Sequence, residues 1–174
     1  MTKEPMKEKL REDFDTNFFN YERAQRSWDE LVVGETYEFE PFVVTEERIR
    51  KYVEGTEDYN PVYVDEEFAK NSQFGGLIAP PTIVVPIKFA STPPDHWIKL
   101  PGAINPGKKL ILGVPVRAGD IIYCEGKLID KFIKRGKKYT VEEVRITNQR
   151  GELVCLWVGG LVLQYQGNPE TINK

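Results

Sequence analysis

The rhythm of apolar and polar positions changes along the chain, and the change predicts two kinds of structure. From about residue 110 the apolar residues alternate. Leu110, Leu112, Val114 and Val116 come first, then runs from Ile122 to about Lys134, from Lys138 to Asn148 and from Leu153 to Tyr165. Turn formers separate the runs: Arg117-Ala118-Gly119-Asp120, Arg135-Gly136 and Asn148-Gln149-Arg150-Gly151. A period of two broken by short turns predicts an antiparallel meander of four strands. An earlier run rich in Tyr, Phe and Val, Thr36 to Val44, predicts a fifth, and Pro41 marks an edge or a bulge in it.

Between these strands the pattern turns helical. Thr45-Glu46-Glu47 puts a capping hydroxyl and two carboxylates at the positive end of a helix dipole. Ile49, Tyr52 and Val53 give that helix an apolar face, and Gly55 is its expected end. After a loop from Thr56 to Val64, Asp65-Glu66-Glu67 caps a second short helix to about Asn71, with Phe68 and Ala69 expected to face inward. The segment Leu77 to Ala90 supports two readings. Ile83-Val84-Val85 favours a strand, whereas Pro80-Pro81-Thr82 suits a helical first turn, and Pro86 in a helix interior costs about 3 kcal/mol or a kink. The first thirty residues carry Phe14, Phe18, Phe19, Tyr21 and Trp28 among many charges, with Leu10, Phe14 and Phe18 spaced by four. They read as a partly helical arm, 1–30, packed on the main body or on a neighbour, before a single domain, 31–174. The class is α+β, one sheet with helical material on one side.

Composition narrows the function. The 174 residues hold 24 Lys and Arg against 27 Asp and Glu, a net charge of −3, so no basic excess points to nucleic acid. No apolar run reaches the roughly 18–20 residues that span a bilayer. Met1-Thr-Lys-Glu-Pro lacks the apolar core of a signal peptide. Cys124 and Cys155 have no second cysteine at metal or redox spacing, and two buried thiols in a reducing cytoplasm are expected. The only histidine, His96, has no neighbours for a zinc site and reads as a loop residue. Gly102-Ala-Ile-Asn-Pro-Gly107-Lys108-Lys109 approaches a phosphate-binding loop, but Lys109 stands where a hydroxyl must hold magnesium and a strand pattern follows. No metal is expected.

The chemistry concentrates in Asp58-Tyr59-Asn60-Pro61-Val62-Tyr63-Val64-Asp65 and the Gly-rich Phe74-Gly75-Gly76-Leu77-Ile78-Ala79-Pro80-Pro81-Thr82. Asp58, Asn60, Pro61, Asp65 and Ala69, with Pro115 to Asp120, resemble the MaoC-like dehydratases, the (R)-specific enoyl-CoA hydratases, over about Leu31 to Tyr165. The resemblance implies a hotdog fold, with Pro80 to about Ser91 as the central helix that the sheet wraps. It also implies a dimer joined edge to edge, and a tunnel for an acyl thioester of coenzyme A or of acyl carrier protein, with no other cofactor.

In that family an Asp and a His five residues apart hold the water that adds across an α,β-unsaturated thioester. A backbone N–H near the central helix faces the thioester oxygen. Carried onto this chain, the resemblance makes Asp58 and Tyr63 the catalytic positions. It makes Asn60, Pro61, Gly76, Ala79, Pro81 and Thr82 substrate-binding, with Gly76 the amide donor. Tyr63 departs from the pattern, because a phenol titrates near 10 and is a poor base at neutral pH. Three readings stay open: a subunit completed by a histidine-bearing hotdog partner, a homodimeric hydratase relying on Asp58, and a non-enzymatic acyl-CoA binder. Each residue also has a plainer use. Asp58, Asn60 and Pro61 form turns, Tyr63 can fill core, and Gly76 can serve a positive φ. Lys108 and Lys109 can meet coenzyme A phosphates or be solvated.

Overall fold

The computed structural model describes residues 27–93, 96 and 103–163. The expected arm therefore lies, up to residue 26, outside the described residues. Its last turn, Trp28–Glu30, is a 3₁₀ turn whose Glu30 carboxylate accepts the Ser27 N–H at 2.6 Å. Trp28 donates its indole N–H to the Tyr139 carbonyl at 2.8 Å and joins the core.

Six strands form one antiparallel sheet. They are β1 (Thr36–Glu38), β2 (Phe42–Val43), β3 (Ile104–Leu112), β4 (Ile121–Lys134), β5 (Lys137–Thr147) and β6 (Leu153–Leu163). The order is β1-β4-β5-β6-β3, with β2 also on β4. Of the four strands expected as one meander, β4 to β6 are consecutive neighbours, but the first, β3, pairs with β6 and not with β4, so the turn at 117–120 is a crossover to the far side of the sheet and not a hairpin. Two boundaries differ. The run Thr36 to Val44 is two short strands, because the chain leaves the ladder at Glu40-Pro41, where the ring lacks a donor. The alternating run near 110 begins at Ile104 and ends at Leu112.

Among the described residues four α-helices complete the order: α1 (Glu46–Thr56), α2 (Pro61–Val64), α3 (Glu66–Asn71) and α4 (Val84–Ser91). The Thr45 hydroxyl caps α1 by accepting the Arg48 N–H at 3.2 Å. The helix runs through Gly55, and the left-handed residue that ends it is Glu57, at φ 54°. The loop expected from Thr56 holds the single turn α2, opened by an Asn60 cap and by Pro61 in the first turn. In α3 only Ala69 faces inward; Phe68 is exposed.

The ambiguous segment resolves as helix. A 3₁₀ turn, Pro81–Ile83, leads into α4 at Val84. Pro86 then sits in the first turn of α4, where its missing N–H has no acceptor to lose. Val84 and Ile87 of this helix pack on Ile122, Leu128, Val144, Ile146, Cys155 and Trp157 of the sheet, all in the main core cluster. Each such buried aliphatic side chain contributes roughly 1.5–3 kcal/mol. Cys124 and Cys155 are buried free thiols, each paired in register with Ile146 from opposite sides.

Candidate active site

The segment Phe74 to Ala79 separates two hollows. It is stitched down at four points. Ile78 donates its N–H to the Val62 carbonyl at 3.2 Å, and Ala79 donates to Val116 at 2.8 Å. The Arg117 guanidinium donates to the Leu77 carbonyl at 2.8 Å and to the Phe74 carbonyl. Arg117 is itself placed by Asp120, which accepts its backbone N–H at 2.8 Å. Gly75 at φ 65° makes the turn, a conformation that L side chains resist. Sequence reasoning missed Arg117 as a holder of this segment, although it lies in a quoted motif.

On one side lies a cleft of about 590 Å³ between α1 and the α2–α3 pair. Ile49, Val53, Tyr59, Tyr63, Leu77 and Ile78 form its apolar part, and Glu46, Glu47, Glu54, Glu66 and Arg50 also line it. On the other side is a smaller pocket of about 230 Å³ at the start of α4. Its wall is almost wholly apolar: Phe74, Ile78, Ala79, Pro81, Val84, Leu112 to Val116 and Val154.

The expected site residues divide between these places. Ala79 and Pro81 line the small pocket, and Tyr63 lines the large cleft. Thr82 receives the Tyr52 hydroxyl at 3.0 Å. Asp58, Asn60 and Pro61 are exposed at the head of α2. Asn60 accepts the Val62 N–H at 3.2 Å, so its observed work is to cap that turn. Asp58 lines neither hollow, but it lies close enough to act on Tyr63. Burial pushes the Tyr63 phenol above its ordinary value, and the Asp58 charge adds to the rise. Tyr63 is thus a firmly protonated donor. The Gly76 N–H has no hydrogen-bond partner among the described residues. His96 lies outside both hollows, with its ring centroid 4.3 Å from that of Tyr37.

A second polar group was not foreseen. Lys88 of α4 is 1% exposed and pairs with Glu142 of β5, which is 3% exposed. The other Glu142 oxygen accepts the Tyr37 hydroxyl at 2.6 Å. Burial lowers the Lys88 ammonium from its ordinary value, opposed by the Glu142 charge. Burial, then Glu142, pushes Tyr37 up. The aromatic rings of Phe89 and Trp157 flank the ammonium at 4.9 and 5.0 Å.

A curled antiparallel sheet packed on one central helix, with an apolar pocket at that helix's N-terminal end, defines a hotdog protein. The chain belongs to the family described as the FAS1-like dehydratase domain region, which matches residues 31–157. Several of the solved structures it resembles are hydratases and dehydratases of the hotdog fold. The MaoC-like dehydratase from Rhodospirillum rubrum is 25% identical, with a TM-score of 0.68 over 80% of this chain and 97% of that one. The R-hydratase PhaJ1 from Pseudomonas aeruginosa is 25% identical, with a TM-score of 0.63 over 79% and 84%. The HadBC complex, a 3R-hydroxyacyl-ACP dehydratase from Mycobacterium tuberculosis, shares the fold at 22% identity, with a TM-score of 0.67 over 76% and 97%. A UPF0336 protein from Thermobifida fusca is 28% identical over 138 residues, 76% of this chain and 91% of that protein. Among the described residues no helix is long and apolar enough to cross a membrane.

Proposed function

We propose that this chain is one subunit of a hotdog acyl-thioester hydratase or dehydratase. The reaction is the reversible addition of water across a trans-2-enoyl thioester to give the 3-hydroxyacyl thioester, in the cytoplasm and in fatty-acid metabolism. In this reading the chain grips the acyl group, and a second hotdog chain brings the histidine. The observation that carries it is the division of the site. The pocket at the head of α4 is apolar and, at about 230 Å³, has room for a short alkyl segment. The catalytic-type loop lies across the Phe74–Ala79 segment from it and offers a carboxylate and a phenol held protonated, with no imidazole. Hydration needs a base for the water at C3, a proton for C2 and donors for the enolate oxygen. Asp58 can serve the water, Tyr63 can donate a hydrogen bond, and the unpartnered Gly76 N–H can face the thioester oxygen. Asn60 and Pro61 fix the bend between them, and Ala79, Pro81 and Thr82 border the acyl path. What this set lacks is a neutral base, and loss of such a group typically costs 10²–10⁴-fold in rate.

The test is co-expression with a small hotdog chain from the same operon that carries Asp-x-Asn-Pro-x-His, followed by hydration of crotonyl-CoA. The pair is expected to hydrate at least a hundredfold faster than this chain alone. A rate unchanged by the partner contradicts the reading. Turnover by the chain alone that Asp58→Asn abolishes would favour a homodimeric enzyme instead.

A further inference from the structure

Two adjacent backbone amides are left free in the segment that divides the hollows. Gly76 and Leu77 donate their N–H groups to no acceptor among the described residues. The amides on either side are all engaged. Phe74 donates to the Ser72 hydroxyl at 3.1 Å and Gly75 to the Ser72 carbonyl at 3.1 Å. Ile78 donates to Val62 and Ala79 to Val116. Phe74 and Ile78 wall the small apolar pocket, while Leu77 and Ile78 wall the cleft that holds Tyr63. The free pair therefore lies on the boundary between the acyl hollow and the catalytic-type loop. Successive free amides on a turn are donors for an anion or for an oxygen that becomes one.

Composition makes this turn loose. Gly75 and Gly76 sit at φ 65° and 154°, and two glycines in succession have wide backbone freedom. Donors serve a developing oxyanion only when they are fixed beforehand. Arg117 supplies the constraint. Its guanidinium bridges the two glycines, donating to the Phe74 carbonyl before them and to the Leu77 carbonyl after them, the latter at 2.8 Å. A Cβ at Gly76 would lie 3.4 Å from the Arg117 Nη1, so the cation rests against the turn. The guanidinium has no ion-pair partner among the described residues. Asp120 accepts the Arg117 backbone N–H with one oxygen, and its other oxygen pairs with Arg150 at 3.3 Å. The Arg117 charge is thus left to act on the turn and on whatever the free amides hold.

We infer, on the acyl-thioester reading proposed above, that Arg117 is a positioning residue: it fixes the Gly76 and Leu77 amides as a two-donor site for the thioester oxygen and adds its positive charge there. As the enolate forms, negative charge grows on that oxygen, and donors already in place need no rearrangement. The experiment titrates the full chain with the 2,4-hexadienoyl thioester of pantetheine, reading affinity by calorimetry and the dienoyl absorption by difference spectroscopy. Polarising the carbonyl draws electron density along the conjugated chain, so a red shift is expected in the wild type. Arg117→Met removes both the grip and the charge. It is expected to lose most of the red shift while affinity changes less than about threefold, because the apolar pocket still holds the chain. Arg117→Lys keeps the charge without the two-pronged grip and is expected to lose about half of the shift or more. Should the Met variant fail to fold, the Lys variant decides. A full red shift in either variant would overturn the inference, and so would a wild type that binds the thioester with no red shift. Failure of the wild type to bind the thioester at all would instead strike the reading on which the inference rests, and the inference with it.

Discussion

The two ends of α4 meet the same sheet on opposite terms. At its start, Ala79, Pro81 and Val84 border an apolar hollow of about 230 Å³. One turn further along the same helix face, Lys88 is locked to Glu142 and, through it, to Tyr37. The first end leaves room and offers no charge. The second fills its space with an ion pair ringed by Phe39, Phe89 and Trp157. The difference separates two tasks of one helix. Its N-terminal end can admit an alkyl chain, and its C-terminal end fixes the helix on the sheet so that the hollow keeps its shape.

The largest effect expected from this contrast is at the polar end. Glu142→Ala leaves a buried ammonium unpaired and should cost about 3–5 kcal/mol, read by thermal or urea unfolding. The double change Lys88→Met with Glu142→Leu should recover most of that loss, because it removes both charges and keeps volume. A single variant as stable as the wild type would mean that the pair does not hold the helix. Tyr37→Phe removes one hydrogen bond to a charged acceptor and should cost about 2 kcal/mol, with Glu142 still paired. At the apolar end, Ala79→Phe should cost only about 1 kcal/mol, since the ring has a void to enter. The same change should abolish binding of an acyl thioester, read by calorimetry. Full binding by that variant would move the acyl site elsewhere.

The sequence shows these ends unequally. The hairpins of β4 to β6 and the capping of α1 and α3 were legible, because period two and the Thr45 and Asp65 caps act locally, whereas the place of β3 beside β6 is a long-range pairing that a local pattern does not carry. Ala79 and Pro81, singled out by a motif, line the small pocket. The ion pair was not legible. Lys88 in Val-Val-Pro-Ile-Lys-Phe reads as a solvated residue, and its partner lies 54 positions away. A signal did exist in β5, where Thr140, Glu142, Val144 and Ile146 fall on one face in period two, and all four are buried. A carboxylate in register with Val144 and Ile146 calls for a buried cation. The division of Asp58 and Tyr63 from the small pocket was illegible for another reason. It depends on how Arg117 ties down residues 74 to 77, a contact that spans some forty positions.

The smallest expected effect is a pH dependence at the polar end. Burial pushes the Cys124 thiol up to about 12 from 9.0. Tyr37 is likewise raised from 10.0. Both groups keep their protons in the folded chain where the unfolded chain has lost them. Their stabilisation is therefore complete below pH 9 and declines as pH rises toward 12. Lys88 acts in the opposite sense, because its lowered value means that the unfolded chain holds more protons just below 10.5, and stability there rises with pH. Removing the thiol, as in Cys124→Ala, should make the alkaline decline between pH 9 and 11 shallower, read by urea midpoints. An unchanged slope would remove Cys124 from the account.

The account turns on the apolar end of α4 as the place where the acyl chain sits. Methyl NMR of the full chain, titrated with the crotonyl thioester of pantetheine, tests this most directly. Saturable shifts are expected at Val84, Val114, Val116 and Val154, while Ile49 and Val53 of the larger cleft stay in place. Shifts centred on Ile49, Val53 and Leu77, or no saturable shift at any methyl, would contradict it.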